Sequence, residues 1–255
     1  MLDFYRFSHF QHHPSLMHMV TTKSNHYPYT FSLALHTGEN SKSIVANRQL
    51  LAQDLGTTNT LHFIVANQTH SDHIKIIRKP QTKGWESLSD AIEDCDALIT
   101  NLPHVVLNIL TADCVPILLY DPKHNVIAVV HAGWKGTEAK IVQKTVEKMA
   151  KVFTSKPEDI VAGIAPSIGN CCYEVGEDVA KHFMLYTEAL TAKGAKFMLD
   201  LPYINKTQLL LSGIKEQNIE MSNICTACEV DRFFSYRKEQ GCSGRFMSMI
   251  ALKET

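Results

Sequence analysis

The segment VVLNILTADCVPILLYDPKHNVIAVVHAGWKGT, residues Val105 to Thr137, decides the fold. Its three apolar runs, Val105–Thr111, Pro116–Tyr120 and Val126–Val130, are too short for helices and are bounded by polar or glycine-containing breaks, so they read as buried strands. Asp121-Pro122-Lys123-His124-Asn125 is a turn by composition and makes an antiparallel pair of the last two runs. Past Val130, the loop His131-Ala132-Gly133-Trp134-Lys135-Gly136 feeds a helix predicted to begin at Thr137, which caps it. Ile141, Val142, Thr145, Met149 and Val152 then recur at near-helical spacing.

Upstream, Ile44, Leu51 and Leu55 share one face of a helix predicted over Ser43–Leu55, and Gly56 stops it. A strand over Leu61–Ala66 then runs directly into Gln68-Thr69-His70. Downstream, a strand is expected at Ile160–Ile164, helices near Glu177–Tyr186 and Tyr203–Ser212, and strands near Phe197 and Ile219. This alternation, with tight turns between some strands, gives a mixed α/β class containing antiparallel pairs rather than a pure Rossmann sheet. No repeat period and no Gly/Ser-rich or Pro-rich linker interrupts the chain, so residues 1–255 read as a single domain.

With 255 residues, 45% apolar and 20% charged, the chain can bury a large core without disulfides or structural metals. Its 25 Lys and Arg against 26 Asp and Glu leave a net charge of −1, which argues against bulk attraction to nucleic acid or to an anionic membrane. The longest apolar runs fall far short of the ~20 residues of a membrane span. The N-terminus, Met1 to Arg6, lacks the pattern of a secretory leader, and a cytoplasmic location is expected. Seven cysteines, an odd number spread over positions 95, 114, 171, 172, 225, 228 and 242, point to reduced thiols, so a special cysteine here is a ligand or a nucleophile.

Three residues stand immediately after apolar runs, where strand ends bring distant positions together: His70, Cys114 and His131. Two imidazoles and a thiolate suit Zn²⁺, and three protein ligands with a fourth position open is the catalytic arrangement. The same residues equally suit a Cys/His nucleophilic site, with Cys114 attacking and His131 as base. Cys225-Thr226-Ala227-Cys228 has the spacing of a redox pair or of half a zinc site, but no second such pair exists; with Cys171-Cys172 these cysteines read as buried or supporting residues. His9, His12, His13 and His18 read as surface histidines, and Glu174 as a general base or as a carboxylate at a helix start. GxGxxG, Walker A, GxSxG and the His-x-Glu…Pro-Cys-x-x-Cys deaminase signature are all missing.

The chain resembles the laccase-domain family, variously described as multicopper polyphenol oxidases and as purine nucleoside phosphorylases. The resemblance is carried by Gln68-Thr69-His70, by Thr111 to Leu118, by Val130 to Thr137, by Pro166 to Gly176, by Phe234-Ser235-Tyr236-Arg237 and by Gly244-Arg245, with Asp96 to Thr100 and Asn47-Arg48 as weaker matches. It implies a four-layer α/β/β/α sandwich similar to bacterial toxin cysteine-hydrolase folds, and a catalytic zinc on His70, Cys114 and His131. The activities it implies are phosphorolysis of adenosine, inosine and guanosine, cleavage of methylthioadenosine, and adenosine deamination, with purine nucleosides and phosphate as partners. Arg48, Lys135 and Arg245 are then the cationic candidates for phosphate, and Asp113 the candidate to accept a proton or orient a histidine. Two alternatives are copper-dependent polyphenol oxidation, for which the motifs supply too few histidines, and hydrolysis of an amide in a cell-wall nucleotide precursor by Cys114.

Overall fold

The computed structural model describes residues 2–56, 61–241 and 243–253, so Cys242 lies outside the described residues. Two sheets dominate it. The first has the order β1 (Phe4–Tyr5), β2 (Leu16–Thr21), β14 (Phe246–Leu252), β6 (Val105–Thr111), β3 (His62–Val65). The second has the order β13 (Ile219–Met221), β9 (Val161–Ile164), β7 (Val115–Asp121), β8 (Val126–Ala132), β5 (Ala97–Thr100), β4 (Ile74–Ile76). A small third sheet joins β10 (Glu174–Val175), β12 (Lys196–Leu199) and β11 (Leu190–Lys193).

The apolar runs are continuous because each large sheet is covered on both sides, and alternate residues serve different layers. On β8, Val126, Ala128, Val130 and Ala132 pack toward α4 (Ile141–Phe153) and α6 (Leu201–Leu211), while Ile127 and Val129 pack against the other sheet. On β14, Phe246, Ile250 and Leu252 face that inter-sheet layer, and Met247, Met249 and Ala251 face outward to Leu51 and Ala52 of α2 (Ser41–Asp54). Three apolar interfaces thus separate four layers, helix, sheet, sheet and helix, as the resemblance implied. Gly163 lets the inter-sheet packing close: a Cβ there would meet the ring of the fully buried Phe7 at 2.8 Å.

The predicted β7–β8 pair is antiparallel, from Val115 opposite Ala132 to Asp121 opposite Val126. Its turn is held by Asp121 Oδ1, which accepts from Lys123 N and His124 N. Helix α2 begins two residues earlier than expected, because Asn40 Oδ1 accepts from Lys42 N and Ser43 N.

Elsewhere the expected elements are broken. The helix predicted from Thr137 is two: α3 (Trp134–Glu138), entered from Gly133, and α4, separated by Lys140 in the left-handed conformation at φ 59°. Thr137 is no cap; it is buried inside α3, and its Oγ1 accepts from Asn205 Nδ2 at 3.0 Å. The helix expected over Glu177–Tyr186 is one short turn, α5 (Glu177–Ala180), continued as a 3₁₀ turn.

Among the described residues no helix is long and apolar enough to cross a membrane. His18, expected on the surface, is buried in β2 and accepts from Phe7 N through Nε2 at 2.9 Å, while Phe10 of α1 (Ser8–Gln11) packs edge-on against its ring.

Candidate metal-binding active site

The ends of the two sheets assemble the site. Past β3, Gln68 extends the pairing of the first sheet with its side chain: Leu110 N donates to its Oε1 at 2.8 Å, and its Nε2 donates to Leu110 O at 2.9 Å. That anchor fixes the next turn, where His70 takes a left-handed φ of 60°. The chain leaves the first sheet at Thr111 and enters the second at Val115, and Cys114 lies in this crossing, after Asp113 at φ 88°. His131 stands near the end of β8. The nitrogen and sulfur ligand atoms of His70, Cys114 and His131 all fall within 4.8 Å of one another, with Cys114 Sγ 3.9 Å from His70 Nε2. Gly133 keeps that space open, since a Cβ there would sit 3.1 Å from both Cys114 Sγ and His70 Cδ2.

One carboxylate organises the cluster. Ala97 pairs with Val130, so Asp96 falls beside His131, whose N donates to Asp96 O and whose Nδ1 meets Asp96 Oδ1, both at 2.7 Å. Asp96 also accepts from His70 N at 3.1 Å, Thr69 N at 3.2 Å, and Ser71 N and Oγ at 2.7 Å each. Burial alone would raise this carboxyl, but the His131 and Ser71 bonds outweigh it and hold Asp96 well below the usual carboxylate range. With Nδ1 donating to Asp96, His131 leaves Nε2 as its ligating nitrogen, whose proton a bound cation displaces.

Burial opposes the charges on Cys114 and His131 as well, and the two offset it by stabilising each other. The Cys114 thiol is pulled down to about 6, mainly by His131 and then His70, and His131 is raised to about 9 by Cys114 and Asp96. Cys114 is therefore a thiolate at neutral pH, fit to bind a cation or to attack an electrophile.

The triad opens on a cavity of about 580 Å³, a volume suited to a ligand of nucleoside size. Trp134, Tyr173 and Tyr236 give it aromatic faces, and Arg237 and Arg245 give it charge. Arg245 donates through Nη1 to Ser243 O and Gly244 O, and Arg237 donates to Glu174 O; their guanidiniums lie over the Tyr236 and Tyr173 rings respectively. His36 also lines the cavity, and burial followed by the charge of Arg245 keeps it below its ordinary pKa.

Of the expected phosphate contacts, only Arg245 is at the cavity. Arg48 is fully buried on the face of α2 shared with Ile44 and Leu51; it donates to Leu33 O, Gly84 O and Trp85 O and lies over the Trp85 ring. Its guanidinium holds loops together and is not offered to a ligand. Lys135 is exposed on α3, outside the cavity lining, with its ammonium 5.6 Å from the Trp134 ring centroid.

Asp113 does reach the cavity wall, but its oxygens accept from Thr226 Oγ1 at 2.7 Å and Arg237 N at 2.6 Å; the histidine-orienting role belongs to Asp96. Glu174 is no base at this site, being drawn into ion pairs with Lys193 and Lys196. The remaining cysteine pairs, expected to be buried or supporting, are not buried: Cys171 and Cys228 are exposed, and with the half-buried Cys172 and Cys225 they form a second cluster of ligand-type side chains. Sequence reasoning overlooked Asp96, Tyr173 and Arg237 as parts of the site, although all three lie inside stretches that carried the family resemblance.

Comparison with known proteins places the chain in a family and matches its fold. Residues 17–253 match the family described as multi-copper polyphenol oxidoreductase laccase. The chain is 34% identical to the Bacillus subtilis purine nucleoside phosphorylase YlmD, over 88% of this chain and 83% of that protein. It is 33% identical to the adenosine deaminase RL5 of an unknown prokaryotic organism, over 87% of each. The crystal structure of YlmD from Geobacillus stearothermophilus superposes with a TM-score of 0.89 at 30% identity, covering 94% of this chain and 93% of that one.

Proposed function

This chain belongs to the multi-copper polyphenol oxidoreductase laccase family, and on that footing we propose that it is a zinc-dependent purine nucleoside phosphorylase acting on adenosine, inosine, guanosine and methylthioadenosine, with adenosine deaminase activity at the same site. The relatives bearing those two names support the reaction classes. The observation that carries the reading is the three-ligand cluster, His70, Cys114 and His131, lining a cavity that also has aromatic and guanidinium groups in its wall.

The donor set fits zinc: two imidazoles and a low-pKa thiolate at mutual ligand distance, one imidazole locked by Asp96 with Nε2 outward, and an open side facing the cavity. When bound, zinc supplies Lewis acidity, either toward a phosphate oxygen or toward a water whose proton it makes labile. Several coppers would need further imidazole clusters; among the described residues the second gathered set is all cysteine, which favours zinc over a multicopper oxidase.

The chain's own residues bind and orient. The faces of Trp134, Tyr173 and Tyr236 receive the purine, and Arg237 and Arg245 hold phosphate against the ribose C1′. In phosphorolysis a phosphate oxygen forms the new bond to C1′ as the C1′–N9 bond breaks, and the purine leaves with the electron pair and takes up a proton. In deamination water oxygen replaces the exocyclic amine at C6 and ammonia leaves. Asp96 keeps His131 in one tautomer throughout. The six described cysteines are free thiols, which supports a cytoplasmic location.

Metal-quantified protein incubated with adenosine, with and without phosphate, tests the proposal. Phosphate-dependent adenine and ribose 1-phosphate are expected, with a lesser phosphate-independent yield of inosine; zinc-loaded protein that forms neither refutes it. The close Cys114 and His131 pair also supports a second reading, amide hydrolysis by Cys114. Metal-free protein would then cleave the amide, and iodoacetamide treatment would abolish that cleavage.

A further inference from the structure

Cys171, Cys172, Cys225 and Cys228 form two pairs far apart in sequence that the fold brings together. Cys171 and Cys172 lie in a turn where Cys172 N and Tyr173 N both donate to Gly169 O at 3.0 Å. Cys225 and Cys228 lie in another, where Cys228 N and Glu229 N donate to Cys225 O at 3.1 and 2.9 Å. A parallel bridge between Ser167 and Cys225 laces the turns together, through Ser167 N to Ile224 O at 3.2 Å and Thr226 N to Ser167 O at 3.0 Å. The four sulfurs consequently lie within 4.8 Å of one another, with Cys228 Sγ 3.6 Å from Cys171 Sγ and 3.5 Å from Cys172 Sγ, and all four are free thiols.

Four sulfurs so spaced lie within reach of a single ion. A Zn–S bond of about 2.3 Å sets tetrahedral edges of about 3.8 Å. An iron–sulfur cluster places several irons and sulfides between its cysteines and needs them farther apart than a single ion does. Gly169 N donates to Cys225 Sγ at 3.3 Å, the outer-shell support expected of a thiolate ligand. The exposure of Cys171 and Cys228 leaves the cluster open to an ion from solvent.

We propose that Cys171, Cys172, Cys225 and Cys228 hold a second zinc ion in a closed tetrathiolate site, separate from the one formed by His70, Cys114 and His131. Four protein ligands leave no position for substrate, so this ion is structural. Its neighbours show what it organises. Thr226, inside the second turn, donates to Asp113 beside Cys114, and Tyr173, next to Cys172, lines the cavity. The ion staples together the two loops that make this wall of the active site.

Metal analysis of the full chain, expressed with zinc and purified without chelator, tests this site independently of any activity. Two zinc ions per chain are expected. A His70→Ala/His131→Ala variant should keep one, and a Cys171→Ser/Cys228→Ser variant should keep the other. Cobalt loaded into the histidine variant should show intense sulfur-to-cobalt charge transfer and the visible bands of a tetrahedral tetrathiolate. If the cysteine variant does not fold, alkylation of native wild-type protein followed by peptide mass mapping decides instead: these four cysteines should resist modification until a chelator removes zinc, then react together. Wild-type protein with a single zinc that disappears in the histidine variant, or a disulfide among the four in freshly purified protein, would overturn the proposal.

Discussion

Asp96→Asn is the sharpest perturbation of this architecture, because one oxygen atom is exchanged for an NH₂ among fixed donors. With the amide nitrogen at the Oδ2 position, it faces two backbone donors, Thr69 N and Ser71 N. At the Oδ1 position it faces His70 N and His131 Nδ1, and only the imidazole can respond, by moving its proton to Nε2. The second arrangement is cheaper, yet it strands one backbone N–H at about 1–3 kcal/mol and converts the remaining charge-assisted bonds to neutral ones at about 1 kcal/mol each. With three such bonds remaining, from Thr69 N, Ser71 N and Ser71 Oγ, a loss of about 4–6 kcal/mol in unfolding free energy follows, measured by urea denaturation with far-UV circular dichroism. A protonated Nε2 cannot ligate, so zinc affinity measured by chelator competition should also fall, by about 10–100-fold. Glu93→Gln, which alters an exposed carboxylate three residues away, is the control and should change neither quantity appreciably. An Asp96→Asn protein within about 1 kcal/mol of wild type and with unchanged zinc affinity would refute the role given to this carboxylate.

Gly133→Ala should leave the unfolding midpoint nearly unchanged, because its φ of −70° suits alanine, yet weaken zinc binding at least about tenfold by wedging His70 from Cys114; a calorimetric zinc titration checks it. Arg48→Met should cost about 3 kcal/mol or more in denaturation by orphaning buried carbonyls, while the KM for phosphate stays at the wild-type value. His18 has a pKa lowered to about 4, by burial first and then by the charge of Arg6. The unfolded chain therefore takes up this proton first as the pH falls. Stability should decline from about pH 6.5 and level off near pH 4, by about 3 kcal/mol in all. His18→Gln, which keeps an acceptor for Phe7 N but does not titrate, should flatten that slope in a series of denaturation curves.

What the sequence disclosed of the fold follows from how each element declares itself. β6, β7 and β8 are unbroken apolar runs bounded by turn residues, so they were legible along with the position of His131 near the end of β8. β14 is buried on both faces too, but its methionines and Ser248 blur the β-branched signature, and β2 hides its character behind a buried histidine. The break between α3 and α4 rests on one residue, Lys140, whose left-handed backbone no side-chain pattern announces. At the site, strand ends pointed to His70, Cys114 and His131. Asp96 was overlooked because a lone acid before a strand has no periodicity; its meaning comes from the register that sets Ala97 opposite Val130. The same holds for the four clustered cysteines, which meet through a bridge between Ser167 and Cys225 that spacing along the chain does not encode.

The crossing from β6 to β7 has a further consequence for how the protein matures. His70 follows a strand of one sheet, His131 belongs to the other, and Cys114 lies on the strand of chain between them. Neither sheet alone can build the triad, so high-affinity ion capture should appear only once the two sheets have docked. Refolding followed with a zinc-release dye would then time that docking event, and the slow pairing of sequence-distant strands would govern when the enzyme becomes competent. In reverse, separation of the sheets dissolves the ligand set, so loss of the ion and loss of global structure should proceed with one rate constant.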